Sequence, residues 1–382
     1  MTIESAIEAY LVCRKNKRGT ISALDFEINY EEKLLELVEA IQNRTYYPGT
    51  SICFIVTRPR YREVFAANFA DRIIHHWIAI RLEPLLEQTF TDRTFNCRVG
   101  KGQLYGTKQM KEDIFNCSEG YTRDCHIMQL DLKGFFMSIN RKLMAKIVDD
   151  FILEKYTGDD IDTLRFLCKT VITHAPEHDC IRHSEPELWE YLPANKSLFT
   201  NGEGLGIAIG NLFAQHFANL LLNSLDWFII EGLGFPYYGR YVDDFYLIHH
   251  DKEKLLSAVQ PIREHLASLD LSLNERKFYF QHYAKGAKFL GAVIKPYRSY
   301  IGSRTLSNFE GAIHNLNQST TINQIQHSVA SINSYLGLLR QHSEYSNRKR
   351  YLQQIEPHAF KYVYIKGSYE VLSLKNEYKC IA

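Results

Sequence analysis

Apolar positions in the first 45 residues recur at helical spacing, with Leu34, Leu35, Leu37, Val38 and Ile41 forming one stripe, so this segment is predicted to be helical. Tyr46-Tyr47-Pro48-Gly49 ends that pattern. Residues 51–57 then switch to a β-branched and aromatic run, with Arg62 to Phe65 as its partner strand. A long helix is expected from Phe69 to Leu86, and Gly100, Gly102 and Gly106 mark a loop. His126 to Leu132 reads as a strand whose last turn-facing residue is Asp131. Residues 141–175 are helical in two pieces, 176–203 is irregular, and Gly210 to Ile230 is a long apolar helix closed by the turn from Gly232 to Pro236. Strands follow at 237–250, a helix at 253–269, a strand near 276–282 and a strand pair at 288–301. From 305 onward the pattern is mostly helical, with strands near 361–373. The element order from 126 to 301 predicts an α+β fold, an antiparallel sheet with helices on one face and the other face open.

One segment breaks the logic of this pattern. Residues 240–248, Arg-Tyr-Val-Asp-Asp-Phe-Tyr-Leu-Ile, place two adjacent carboxylates near the apex of a hairpin, inside an apolar run. Strand interiors deplete Asp, and two neighbouring anions repel and resist desolvation. A divalent cation resolves that conflict. The other adjacent pairs, Asp149-Asp150 and Asp159-Asp160, lie in polar surroundings and need no such partner. If the strand ending at Asp131 pairs beside the hairpin, Asp131 and Asp243 converge. Carboxylates at one point hold two Mg²⁺, one activating an attacking hydroxyl and the other neutralising a leaving pyrophosphate.

Composition adds bounds. The chain has 382 residues, 45% hydrophobic and 23% charged, which is a globular balance with room for more than one subdomain. The formal net charge of +1 does not announce a nucleic-acid binder, but the distribution is uneven. Arg14, Lys15, Lys17 and Arg18 form one basic knot, and Arg58, Arg60 and Arg62 another. Residues 301–382 carry nine Lys and Arg against five Glu and no Asp. The eight cysteines lack any Cys-x-x-Cys spacing, no secretory leader opens the chain and no apolar run reaches a membrane span, so a cytoplasmic protein with reduced thiols and no membrane association is expected. His174, His178, Cys180 and His183 form a cluster of metal-ligating types, but it lacks the second paired half of a zinc site.

The motifs taken in order resemble those of reverse transcriptases. Leu130-Asp131-Leu132-Lys133-Gly134-Phe135-Phe136 resembles the first catalytic motif, and Tyr241-Val242-Asp243-Asp244 the second. Between them, Gly206-Ile207-Ala208-Ile209-Gly210 through Gln215 is similar to the templating-strand and nucleotide-binding helix motif. Arg276-Lys277 resembles the motif that supplies a lysine near pyrophosphate, and Lys288-Phe289-Leu290-Gly291 the primer grip. Upstream, Arg62 to His76 resembles the fingers motifs, and Cys97 to Gly102 the segment after them.

The resemblance implies a right-hand polymerase with a two-Mg²⁺ site (Mn²⁺ as a substitute), an RNA template, a DNA or RNA primer and deoxynucleotides. It implies Asp131 and Asp243 as metal ligands with Asp244 in support, and the backbone of Leu132 beside them. Arg62 and Arg58 would clamp the triphosphate, Phe136 would exclude a 2′-hydroxyl, and Gly210 and Gln215 would lie at the nucleotide. Lys277 would serve the pyrophosphate, and Phe289, Leu290 and Gly291 the primer. The small residues Gly206, Ala208 and Gly210 would let backbone approach a base pair. The expected division is residues 1–125 as N-terminal region and fingers, 126–301 as palm with an insert near 176–203, and 302–382 as thumb and tail. The lack of any Asp in the last stretch excludes a ribonuclease H domain there.

The Ile209 to Gln215 sequence is similar to diversity-generating retroelement enzymes and to bacterial defence-associated reverse transcriptases. Ala208 and Ala214 depart from the retroelement pattern. A dedicated non-coding RNA, an accessory protein or a homo-oligomer would be compatible partners. Two alternatives remain: an RNA-binding scaffold that no longer polymerises, and untemplated or self-primed synthesis on the same site.

Overall fold

The computed structural model describes residues 1–15, 19–57 and 60–378. In chain order the elements are α1 (Ile3–Arg14), α2 (Ile21–Glu27), α3 (Tyr30–Gln42), β1 (Ser51–Val56), β2 (Arg62–Ala66), α4 (Phe69–Thr89), α5 (Gln103–Cys117) and β3 (His126–Asp131). There follow α6 (Phe135–Ser138), α7 (Arg141–Lys155), α8 (Ile161–Thr173), β4 (Cys180–Arg182), α9 (Pro186–Glu190), α10 (Leu212–Trp227), β5 (Tyr238–Tyr241) and β6 (Asp244–His249). The remainder comprises α11 (Lys252–Ser257), α12 (Val259–Ser268), β7 (Tyr279–His282), β8 (Ala287–Phe289), β9 (Ala292–Lys295), β10 (Arg298–Ile301), α13 (Ser303–Asn317), α14 (Ile322–Leu339), α15 (Tyr345–Leu352), β11 (Val363–Lys366) and β12 (Val371–Leu374). Among the described residues no helix is long and apolar enough to cross a membrane.

The chain divides into two compact units. One comprises residues 1–102, 129–247 and 253–279, and the other 103–128, 248–252 and 280–382. In the first, β1 and β2 form an antiparallel hairpin with Cys53 opposite Phe65, and β4 adds a parallel edge with Ser51 opposite Cys180. Glu63 on β2 is buried, and its carboxylate accepts from Ser197 Oγ at 2.6 Å and from the Leu198 N–H at 2.8 Å. These bonds fasten the 176–203 insert to the hairpin. Insert and hairpin share a small apolar cluster of Cys53, Phe65, Met137, Leu198 and Ala208.

Helix α4 starts at an Asn68 cap, whose side chain accepts from the Asp71 N–H at 2.9 Å. Asp71 is itself buried and accepts from Tyr46 Oη at 2.8 Å and the Gly49 N–H at 3.0 Å, which ties the Tyr46–Gly49 turn to the helix. Burial raises its carboxyl to about 6, against the opposing effect of those two hydrogen bonds.

Strands β5, β6, β3 and β7 lie side by side in that order. The β5–β6 hairpin pairs Tyr238 with Leu247 and Tyr241 with Asp244, which leaves Val242 and Asp243 as its two-residue turn.

The second unit contains the meander β8–β9–β10 and the bundle that follows it. The turn between β8 and β9 is Leu290-Gly291, both at positive φ. Helices α13, α14 and α15 and the β11–β12 hairpin enclose a core that includes Phe309, Ile332, Leu336, Leu352, Val363 and Leu372.

Several elements differ from the sequence expectation. The strand pair expected at 288–301 is the three strands β8, β9 and β10, because two short turns divide that stretch. Gly100 and Gly102 do form a loop at positive φ, but Gly106 is buried inside α5, where packing overrides its roughly 1 kcal/mol propensity cost. The irregular 176–203 segment contributes β4 and α9, too short for periodicity to reveal. The helix expected at 253–269 is two helices divided at Ala258.

Candidate active site

Three carboxylates meet at the end of the four-stranded sheet. Asp131 is the last residue of β3, Asp243 occupies the hairpin turn and Asp244 opens β6. The Leu132 N–H donates to the Asp243 carbonyl at 3.3 Å, so the backbone after β3 is fastened to the turn. Asp131 is buried, and its Oδ1 accepts from Asn274 Nδ2 at 3.0 Å while Lys277 Nζ pairs with its Oδ2. Asn274 also donates its N–H to the Asp131 carbonyl at 2.8 Å, which makes the segment before β7 a brace for this residue.

Electrostatics register the crowding. Asp243 is raised above the usual carboxylate range, first by removal from water and then by the Asp131 charge, with Lys277 and Arg62 opposing. Asp244 is raised by the same desolvation, by a hydrogen bond shared with Asp131 and by the Asp243 charge. Among the described residues no group of three His, Cys, Asp or Glu side chains encloses a metal unaided. The donor set fits a hard divalent cation nonetheless: it is all oxygen, anionic, and repulsive without a countercharge. Mg²⁺ completes its shell with water and substrate oxygens.

Arg62, the exposed first residue of β2, lies near enough for its charge to act on Asp243. Arg58 falls outside the described residues. Phe136, in α6, is half-buried; its ring lies tilted against that of Phe135, 5.2 Å between centroids, and its carbonyl accepts from the Ile207 N–H at 2.8 Å. The 204–210 loop is thereby held along residues 136–141, with buried Arg141 Nε donating to the Gly206 carbonyl at 2.6 Å.

Gly210 has φ 120°, and a Cβ there would lie 2.5 Å from the Phe65 carbonyl oxygen. What its missing side chain admits in this structure is strand β2. Gly206 likewise faces Leu198 and Asn201. Gln215, in the first turn of α10, is exposed and hydrogen bonds Cys97 Sγ. Arg72, His75 and His76 line a cleft of ≈ 120 Å³ with Gly210, Asn211 and Leu212. Phe289 is buried at the end of β8, with Leu290 and Gly291 forming the turn, all within the second unit.

Sequence reasoning did not find the polar cluster beneath the turn. Arg240 is fully buried and forms a two-pronged ion pair with Asp226, Nε to Oδ1 at 2.7 Å and Nη2 to Oδ2 at 2.6 Å. Tyr238 Oη and Thr94 Oγ1 also donate to Asp226, at 2.6 and 2.8 Å. A signal existed: Asn219 and Asp226 are polar residues seven apart, hence on one face, in an otherwise largely apolar helix.

The reverse transcriptase (RNA-dependent DNA polymerase) family model matches residues 57–294, more than half of the chain. The chain belongs to the reverse transcriptase family, and its helices and antiparallel sheets form that family's α+β fold. No curated protein matches it. Among solved structures it is similar to telomerase from Candida albicans in complex with a fragment of telomeric RNA, at TM-score 0.49 and 9% identity, covering 84% of this chain and 59% of that one. It is also similar to apo telomerase from Candida tropicalis, at TM-score 0.49 and 11% identity, covering 80% and 60%. The chain thus spans about three-fifths of the length of these telomerase chains.

Proposed function

We propose that this chain is an RNA-directed DNA polymerase that extends a primer 3′-hydroxyl with deoxynucleotides at Asp131, Asp243 and Asp244. The observation that carries the reading is the convergence of Asp131 with the Asp243-Asp244 turn in a chain whose family match spans both. Asp131 and Asp243 would hold two Mg²⁺, with Asp244 and the backbone of Leu132 beside them. When bound, such ions activate the attacking hydroxyl and neutralise the pyrophosphate.

The chain's own groups supply the rest. Arg62, whose charge reaches Asp243, orients the triphosphate. Phe136, fixed by the 204–210 loop, occupies space that a 2′-hydroxyl would need. Lys277, now paired with Asp131, is placed to shift to a phosphate oxygen and give it a proton. Gly210 and Gln215 shape the floor beneath the base pair, and Phe289, Leu290 and Gly291 guide the primer.

Residues 1–125 would act as fingers, 126–301 as palm and 302–382 as thumb. The Ile209 to Gln215 sequence supports a role in bacterial antiphage defence or a diversity-generating retroelement, with a dedicated RNA as template and a cytoplasmic location.

Primer extension on a supplied RNA, with Mg²⁺ and labelled deoxynucleotides, tests the reading. The sequenced product should be complementary to that RNA. Product unrelated to the template would indicate untemplated synthesis instead, and no product in any divalent ion would favour a scaffold.

A further inference from the structure

Val242, between the strand and the carboxylates, sits at φ 60°. A β-branched residue in this left-handed region is a true outlier, and such strain persists only where the surroundings over-determine it. Here both backbone groups of Val242 are held. Its N–H donates to Asn96 Oδ1 at 2.9 Å, and its carbonyl accepts from Arg240 Nη1 at 3.0 Å.

The two holders are themselves locked. Arg240 is gripped by Asp226 through two prongs and donates from Nη1 to Asn219 Oδ1 at 3.2 Å. Asn219 Nδ2 in turn donates to the Asn96 carbonyl at 3.0 Å, which closes a ring from one side of the turn to the other. Asn96 reaches the turn because residues 93–95 run beside β5: the Arg240 N–H donates to the Arg93 carbonyl at 2.8 Å, and the Phe95 N–H to the Arg240 carbonyl at 2.9 Å. Asn96, Asn219, Asp226 and Arg240 are all buried, with Arg240 at 0% exposure.

We infer that Arg240 and Asn96 are positioning residues, which clamp the strained Val242-Asp243 turn so that the Asp243 carboxylate is presented at Asp131. The inference rests on the polymerase reading. Its particular content is that a buried ion pair between α10 and β5 serves the geometry of the carboxylates as well as the stability of the sheet. Asn96 Nδ2 is buried without a partner, but every other link of the network is hydrogen-bonded. Buried networks of this kind hold one arrangement, and small displacements of reacting groups cost large factors in rate.

The test is a double-mutant cycle on the full chain, with Arg240→Lys, Val242→Gly and the pair. Lysine keeps the charge beside Asp226 but loses the fork that reaches Val242. Glycine removes the steric penalty at φ 60°, so the turn no longer depends on the clamp. Arg240→Lys is expected to lower kcat by about tenfold or more with the deoxynucleotide KM little changed. It should also weaken Mn²⁺ binding to the substrate-free protein, read by electron paramagnetic resonance. In the Val242→Gly background the same change should cost less than about threefold.

An equal loss in both backgrounds, or Mn²⁺ binding untouched by Arg240→Lys, would overturn the inference and leave the ion pair a structural one. If Arg240→Lys does not fold, the cycle is run with Asn96→Ala, and the same two results decide it. Failure of the polymerase reading is distinct: the wild-type chain itself would then incorporate no nucleotide.

Discussion

At the scale of single residues, the site is a set of conflicts that neighbours resolve. Asp243 and Asp244 crowd Asp131 with like charge, and Lys277 and Arg62 partly offset it. The carboxylates were legible in the sequence because anions inside an apolar strand contradict propensity. Arg240 was not, because a single Arg in a strand also reads as a solvent-facing position. Only the fold shows it on the same face as Tyr238, pointing at Asp226. Removing one partner of such a buried pair costs about 3–5 kcal/mol of stability, since the other charge is left uncompensated.

Gly210 carries a similar lesson. Its requirement for glycine was legible, but the neighbour that imposes it, the Phe65 backbone, belongs to a hairpin distant in sequence. Phe136 allows a direct prediction at this scale. Phe136→Ala should raise ribonucleotide incorporation relative to deoxynucleotide incorporation in competitive primer extension. An unchanged ratio would mean that the ring only fills the cluster beside Ile209.

At the scale of elements, long periodic segments were legible and short ones were not. The β1–β2 hairpin, α4, α10 and the β5–β6 hairpin lie where apolar spacing placed them, within a few residues. β4 escaped because three residues carry no period, and its pairing with β1 is a tertiary fact. The split at Ala258 did leave a mark: Pro261, in the first turn of α12, has no N–H to give the Ser257 carbonyl and favours a helix start there, but apolar spacing alone passes over it.

The anchoring of α4 makes a pH prediction. The Asp71 carboxyl is raised from 3.8 to about 6 in the folded chain, so it holds its proton more tightly than in the unfolded one. Its contribution to stability is therefore fully present below about 4 and is lost as pH rises through about 6. Thermal melts of Asp71→Asn should show a flatter decline across that window than the parent. Parallel profiles would remove Asp71 as the source.

At the scale of the whole molecule, the order of elements from 126 to 301 was enough to predict an α+β sheet with helices. It could not show that each compact unit is assembled from three separate stretches of chain. With a formal charge of +1, the proposed nucleic-acid binding would rest on local basic groups rather than on the overall field.

Single-turnover incorporation decides whether one site built on Asp131 and Asp243 performs templated nucleotide transfer. Wild type and Asp243→Ala would be compared on the same primer and RNA template, with melting curves for both. Asp243→Ala is expected to melt cooperatively, as the parent does, and to incorporate no nucleotide above background. Full incorporation by a folded Asp243→Ala protein would contradict that role for Asp243.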